Sequence, residues 1–127
     1  MAKLRILVIA LFAFTAFPAW SIDTREFDKA AFDAARAAGR PVVVEVWASW
    51  CPVCQQQGVV IEQLKKDPEL AGLVLFELDF DKDKAALRDF RVARQSTLIA
   101  FKSGAEVARS IGVTDPAEIR ALFHKAR

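Results

Sequence analysis

Val42-Val43-Val44-Glu45-Val46-Trp47-Ala48-Ser49-Trp50-Cys51-Pro52-Val53-Cys54 is the stretch on which the reading of this chain turns. Val42 to Ala48 is a β-branched run too short for a helix, so it reads as a strand buried on both faces. Pro52 suits the first turn of a helix, which therefore begins at the cysteines and runs to about Lys66, ahead of Asp67-Pro68. Cys51 and Cys54 are the only cysteines in the chain. At i and i+3 both sulfurs fall on one face of the first helical turn, close enough to bond each other. One thiolate can attack a foreign disulfide while the other waits to resolve it. As a structural staple the pair is poorly placed, because closing so short a loop removes only about 2 kcal/mol of unfolded-state entropy. The spacing favours exchange over cross-linking.

Outward from this block, Ile22 to Phe27 is a short strand or lead-in. Phe32, Ala35 and Ala38 repeat at helical intervals over Asp28–Ala38, with Gly39 and Pro41 as the stop. Leu73–Phe80 is a second mostly apolar strand, and Lys84–Phe90 a short helix. Thr97–Lys102 and Glu106–Ile111 flank Ser103-Gly104 and read as a hairpin. Asp115-Pro116-Ala117-Glu118 supplies an N-cap acid, Pro at N1 and Glu at N3, so a closing helix starts there and runs through Phe123. No repeat, linker or low-complexity tract interrupts the series.

The first residues, Met1-Ala2-Lys3-Leu4-Arg5, an apolar run from Ile6 to Phe17 and Pro18-Ala19-Trp20-Ser21, have the three parts of a secretory signal peptide. Cleavage is expected after Ser21, or alternatively after Ala19. The apolar run falls well short of the ~20 residues that span a bilayer. Loss of residues 1–21 removes Lys3 and Arg5 from 18 basic residues and none of the 16 acidic ones, taking the formal charge from +2 to zero. No basic field then points to nucleic acid or a membrane surface. Residues 22–127 suffice for one domain and not two, here expected to be a monomer in the periplasm. The C-terminal His124-Lys125-Ala126-Arg127 is no retention signal.

The element order, with Trp-Cys-x-x-Cys ending the second strand, resembles the thioredoxin superfamily over nearly all of residues 22–127. Three blocks carry the likeness: Val46–Cys54; Leu78-Asp79-Phe80-Asp81 in the middle strand; and Ser96–Gly104, the hairpin that faces the cysteines. The first helix and Gly39-Arg40-Pro41 look most like the C-terminal periplasmic domain of the DsbD reductant transporter. The resemblance implies an α/β fold, with a central mixed sheet of four to five strands flanked by helices. It also implies that Cys51 is the exposed nucleophile and Cys54 the buried resolving thiol. The physics agrees for Cys51, since a helix N-terminus favours thiolate over thiol.

Glu45 falls where thioredoxins carry a buried acid beneath the cysteines. Its carboxyl is expected to have a raised pKa and to relay a proton to or from Cys54, so Glu45 joins Cys51 and Cys54 as a catalytic candidate. The position of the family's basic partner holds Glu77, whose charge would push one of the two pKa values still higher. Thioredoxins also place a cis-proline beside the disulfide, just before a Thr. Here Gln95-Ser96-Thr97 stands there, and a trans Gln95–Ser96 bond is expected, because cis before a non-proline costs roughly 2.5 to 4 kcal/mol. Ser96 would then offer an N–H and a hydroxyl toward the sulfurs. Trp50, Pro52 and Val53, with Ser96 and Thr97, are the expected client-binding residues.

Pro52-Val53 brings no imidazole or cation to favour the thiolate strongly, which leans toward disulfide reduction over oxidation. Protein thiols or disulfides are the expected partners, with a membrane thiol reductant of the DsbD type as donor; no cofactor or resident metal is called for. Two other readings stand beside this one. On the first, the pair holds copper(I), or shares zinc or an iron–sulfur cluster across a dimer; on the second, the fold is a redox-inert module that recruits clients through the Ser96 groove. His124, the only histidine, and the Lys65-Lys66-Asp67 turn read as solvated surface.

Overall fold

The computed structural model describes residues 21–127, so the signal peptide read over residues 1–21 lies, but for Ser21, outside the described part. Five strands form one sheet: β1 (Asp23–Glu26), β2 (Val42–Trp47), β3 (Val74–Asp79), β4 (Thr97–Lys102) and β5 (Ala105–Ile111). Four helices accompany them: α1 (Lys29–Ala37), α2 (Pro52–Leu64), α3 (Lys84–Asp89) and α4 (Pro116–Lys125). Every expected element is present within a few residues of its expected bounds. A 3₁₀ turn at Pro68–Leu70, capped by Asp67, is an addition that the Asp-Pro stop signal did not announce.

Local chemistry explains the boundaries. Asp28 caps α1 by accepting the Ala31 N–H at 2.7 Å, and Asp115 caps α4 through the Glu118 N–H at 2.9 Å. After α1 the chain turns at Gly39 with φ +70°, a left-handed conformation that costs glycine nothing. α4 runs two residues beyond Phe123, because Ala126 is itself buried against the core.

The strand order is β1-β3-β2-β4-β5, so the strand that leads into the cysteines lies in the middle of the sheet. β1 and β2 both run parallel to β3, while β4 is antiparallel to β2 and to β5. Helices therefore cover both faces. On one, Val42, Val44, Val46, Phe76 and Phe101 pack with Phe32 and Ala35 of α1 and Leu87 of α3. Its centre is Phe32, whose ring meets Phe76, Phe90 and Phe101 edge-on at centroid distances of 5.8, 5.1 and 5.1 Å. On the other face, Val43, Leu75, Leu98 and Ala100 pack under Val60, Ile61 and Leu64 of α2 and Ile119, Leu122 and Phe123 of α4. Strand side chains alternate between faces. Glu45 therefore shares Val43's face and is buried beneath α2.

Candidate active site

Cys51 is the N-cap of α2, with extended backbone at φ −91° and ψ 108°. Its Sγ accepts the Cys54 N–H at 3.1 Å, Pro52 occupies the first turn, and Cys51 and Cys54 form a disulfide with Cα atoms 5.2 Å apart. An N-cap sulfur that accepts a helical N–H is placed where negative charge is stabilised by unpaired amides and the positive end of the dipole.

The expected exposure does not hold. Cys51 is 1% exposed and Cys54 6%, so neither presents an open sulfur in the disulfide-bonded state, and Cys51 is the more enclosed of the two. Ala48, Trp47, Val53 and Phe80 close around the pair. The sequence places Cys51 at the helix mouth, but it does not show how far these neighbours fold over it. Trp50 is 56% exposed, and its indole Nε1 donates to Asp81 Oδ2 at 2.8 Å, which fixes the ring beside the site. Pro52 is exposed and Val53 half-buried.

Beneath the pair, Glu45 stands directly across from Glu77 in the β2–β3 register. Burial, then the Glu77 charge, pushes the Glu45 carboxyl up to about 7; Lys65 pulls it the other way. A cleft of ≈350 Å³ has Glu45, Cys54 and Glu77 in its walls, and so joins the acid to the inner sulfur. Lys65 is a correction to the solvated-surface reading: its side chain is mostly buried, with Nζ 2.6 Å from Glu62 and 3.7 Å from Glu77. The Glu62/Lys65 spacing is visible in the sequence, but the docking of the end of α2 over β3 is not.

The Gln95–Ser96 bond is trans, since no cis peptide occurs among the described residues. The groups expected to face the sulfurs are otherwise engaged. The Ser96 N–H donates to Val46 O at 2.8 Å, and the Ser96 hydroxyl donates to Gln95 O at 2.5 Å. The Ser96 carbonyl accepts from Gly112 N at 2.9 Å and from Gln57 Nε2 at 3.1 Å. Thr97 is buried, and its hydroxyl donates to Arg94 O at 2.7 Å. Both side chains close the loop on itself rather than reach outward, because Ser96 has φ +60°, which turns its N–H onto the end of β2. Left-handed backbone costs a non-glycine residue roughly 1 to 2 kcal/mol. Ser96→Gly should therefore raise stability by up to about 1 kcal/mol, whereas β-branched Ser96→Val should lower it by about 2 kcal/mol. Urea midpoints that rank the two variants the other way would contradict this backbone.

Ile111 is an exposed apolar residue beside the Ser96 loop that the sequence reading did not single out. It pairs with Thr97 across β4–β5 and remains exposed, next to the Gly112–Ser96 bond. An apolar side chain left in the open at the end of an edge strand was the available signal. For metals, the one cluster of three or more His, Cys, Asp or Glu ligands among the described residues is Asp67, Glu69 and His124. The Arg120 guanidinium already bonds both Asp67 and Glu69, and so takes a cation's place. His124 is half-buried rather than solvated, with Nε2 3.7 Å from Glu69. The cysteines have no third ligand of this kind among the described residues.

Three comparisons bear on this arrangement. The sequence model of the family described as thioredoxin matches residues 23–125. The thioredoxin of Mycolicibacterium smegmatis is 34% identical over 84 residues, which is 65% of this chain and 74% of that protein; the thioredoxin of Chlamydia muridarum is 36% identical over 84 residues, covering 66% and 80%. Among solved structures, Trxlp from Edwardsiella tarda EIB202 is similar at a TM-score of 0.76 and 46% identity, covering 79% of this chain and 98% of that one.

Proposed function

We propose, from the premise that this chain belongs to the thioredoxin family, that its dithiol works in the reducing direction on proteins outside the cytoplasm. The chain is a protein thiol-disulfide oxidoreductase with protein disulfides as its partners. The observation that carries the chemistry is the Cys51 sulfur held as the N-cap of α2 by the Cys54 N–H.

In the proposed cycle Cys51 thiolate attacks a client disulfide and expels one client sulfur as thiolate, leaving a mixed disulfide. Cys54 gives its proton to the Glu45 carboxylate through the shared cleft, attacks Cys51 Sγ and releases the second client sulfur. The Cys51–Cys54 disulfide is the product state. A carboxyl poised near 7 suits this role, since it takes and returns a proton close to neutral pH. The client approaches over Trp50, Pro52, Val53 and the loop at Ser96. Two electrons from a membrane thiol donor of the DsbD type would restore the dithiol.

Pro52-Val53 supports the reducing direction, because neither residue brings a cation to hold the thiolate. Equilibration with glutathione should give a potential nearer to about −270 mV than to about −120 mV, the values of a reductant and an oxidant of this fold. A potential near the second value would reverse the direction.

Export rests on the leader pattern of residues 1–21. Ser21 O accepts the Gly72 N–H at 3.3 Å and Ile22 is buried in the core; a mature protein beginning at Trp20 keeps that bond, and one beginning at Ile22 loses it. Mass spectrometry of the protein from its host should find one of these two termini in the periplasmic fraction. Full-length chain confined to the cytoplasm would refute export.

A further inference from the structure

Gln57 lies three residues beyond Cys54, on the same face of α2, and is fully buried. The inward positions that follow it on α2 are Val60, Ile61 and Leu64, all apolar. An amide among them needs a reason, since a buried polar group is costly unless it is bonded. Its Nε2 donates to Ser96 O at 3.1 Å and to Val113 O at 2.8 Å, while Oε1 is buried without a partner. Both partners are acceptors, so the amide can face only one way. One side chain thus joins the redox helix to the residue before β4 and to the residue just past Gly112, after β5.

We propose that Gln57 is a positioning residue for client binding, one that fixes the Ser96 and Ile111–Val113 segments relative to the helix that carries the disulfide. This rests on the reading that those segments receive the client. Ser96 has a left-handed backbone and Ile111 is exposed at its side. The β4–β5 register ends at Thr97 and Ile111, and beyond it the backbone of Ser96 is tied to the sheet only through its N–H bond to Val46 O at 2.8 Å. Gly112 N donates to the same Ser96 carbonyl at 2.9 Å, so Gln57 completes a three-way junction. Removing its amide leaves Ser96 O with one donor and takes the helix out of the junction. The sulfur chemistry at the other end of the first turn keeps its N-cap geometry.

The test is steady-state reduction of insulin and of the small disulfide 5,5′-dithiobis(2-nitrobenzoate) by the wild type, Gln57→Leu and Gln57→Met. The expected result is a KM for insulin raised about tenfold in both variants, with kcat and the small-disulfide rate within about twofold of wild type. Amide exchange at Gly112 should be faster by about tenfold or more, as its acceptor is loosened. An unchanged insulin KM in a folded variant overturns the proposal. Equal losses on both disulfides also overturn it, as that pattern marks a general structural role; so does failure of both variants to fold. A wild type that does not reduce insulin strikes the functional reading itself. An active wild type with an unmoved KM strikes only the role of Gln57.

Discussion

Cys51→Ser is expected to lower insulin reduction by more than about a thousandfold, because the remaining thiol, Cys54, lacks the N-cap place that favours a thiolate and has no second thiol to resolve any mixed disulfide it forms. A serine oxygen fits the N-cap and can accept the Cys54 N–H as the sulfur does, so the fold should survive while the chemistry is lost. The helix terminus that lowers a thiol's pKa into the working range cannot bring an alcohol there. Cys54→Ala should also stop turnover, but at a later point: the mixed disulfide forms on Cys51 and, with no resolving thiol, accumulates. Non-reducing electrophoresis of the two variants after exposure to oxidised host extract separates the roles. Since Cys51 is the more enclosed sulfur, the result carries weight. Adducts on Cys51→Ser and none on Cys54→Ala would give the attack to Cys54 and reverse the proposed order.

Glu45→Gln is expected to stabilise the protein by about 3 kcal/mol above pH 8 and by less than about 1 kcal/mol at pH 5. The folded-state pKa is raised from 4.5 to about 7, first by burial and then by Glu77. The folded protein therefore binds a proton that the unfolded chain has already released between these values. Stability from this group is fully present below about pH 4.5, falls as pH rises toward 7 and stays low above it. A neutral amide of the same shape removes that slope. Urea denaturation of both proteins at pH 5 and pH 8 measures the difference, and a gap independent of pH would refute the buried, half-titrated carboxyl. The same variant should slow the resolution of mixed disulfide, since Cys54 loses its nearest proton acceptor. Stability would rise while turnover falls, the pattern of a group kept for chemistry at a cost in folding energy.

The two sets of observations differ in kind. Hydrophobic period, capping residues and turn chemistry are local, and they placed all nine strands and helices, including the Asp115 cap. The same local reading put Cys51 at a helix N-terminus and Glu45 inside the sheet, because both follow from the few residues around them. It misjudged where the Ser96 hydroxyl turns, and it did not anticipate where that of Thr97 does. Which way a hydroxyl turns depends on acceptors such as Gln95 O and Arg94 O, and on a backbone at φ +60° that no residue pattern here announces.

By itself, the sequence determined the order of the elements, the dithiol at the mouth of α2 and an acid within the buried strand before it, since each is set by neighbours along the chain. Only the tertiary structure decided the strand order β1-β3-β2-β4-β5, the enclosure of Cys51, the placing of Lys65 against the acid pair and the junction of Gln57 with Ser96 and Val113. These join residues far apart in the chain, and they exist only once α2 has docked on the sheet in one register. That register is chosen by the packing of the whole buried face, a sum over many side chains that no single segment contains.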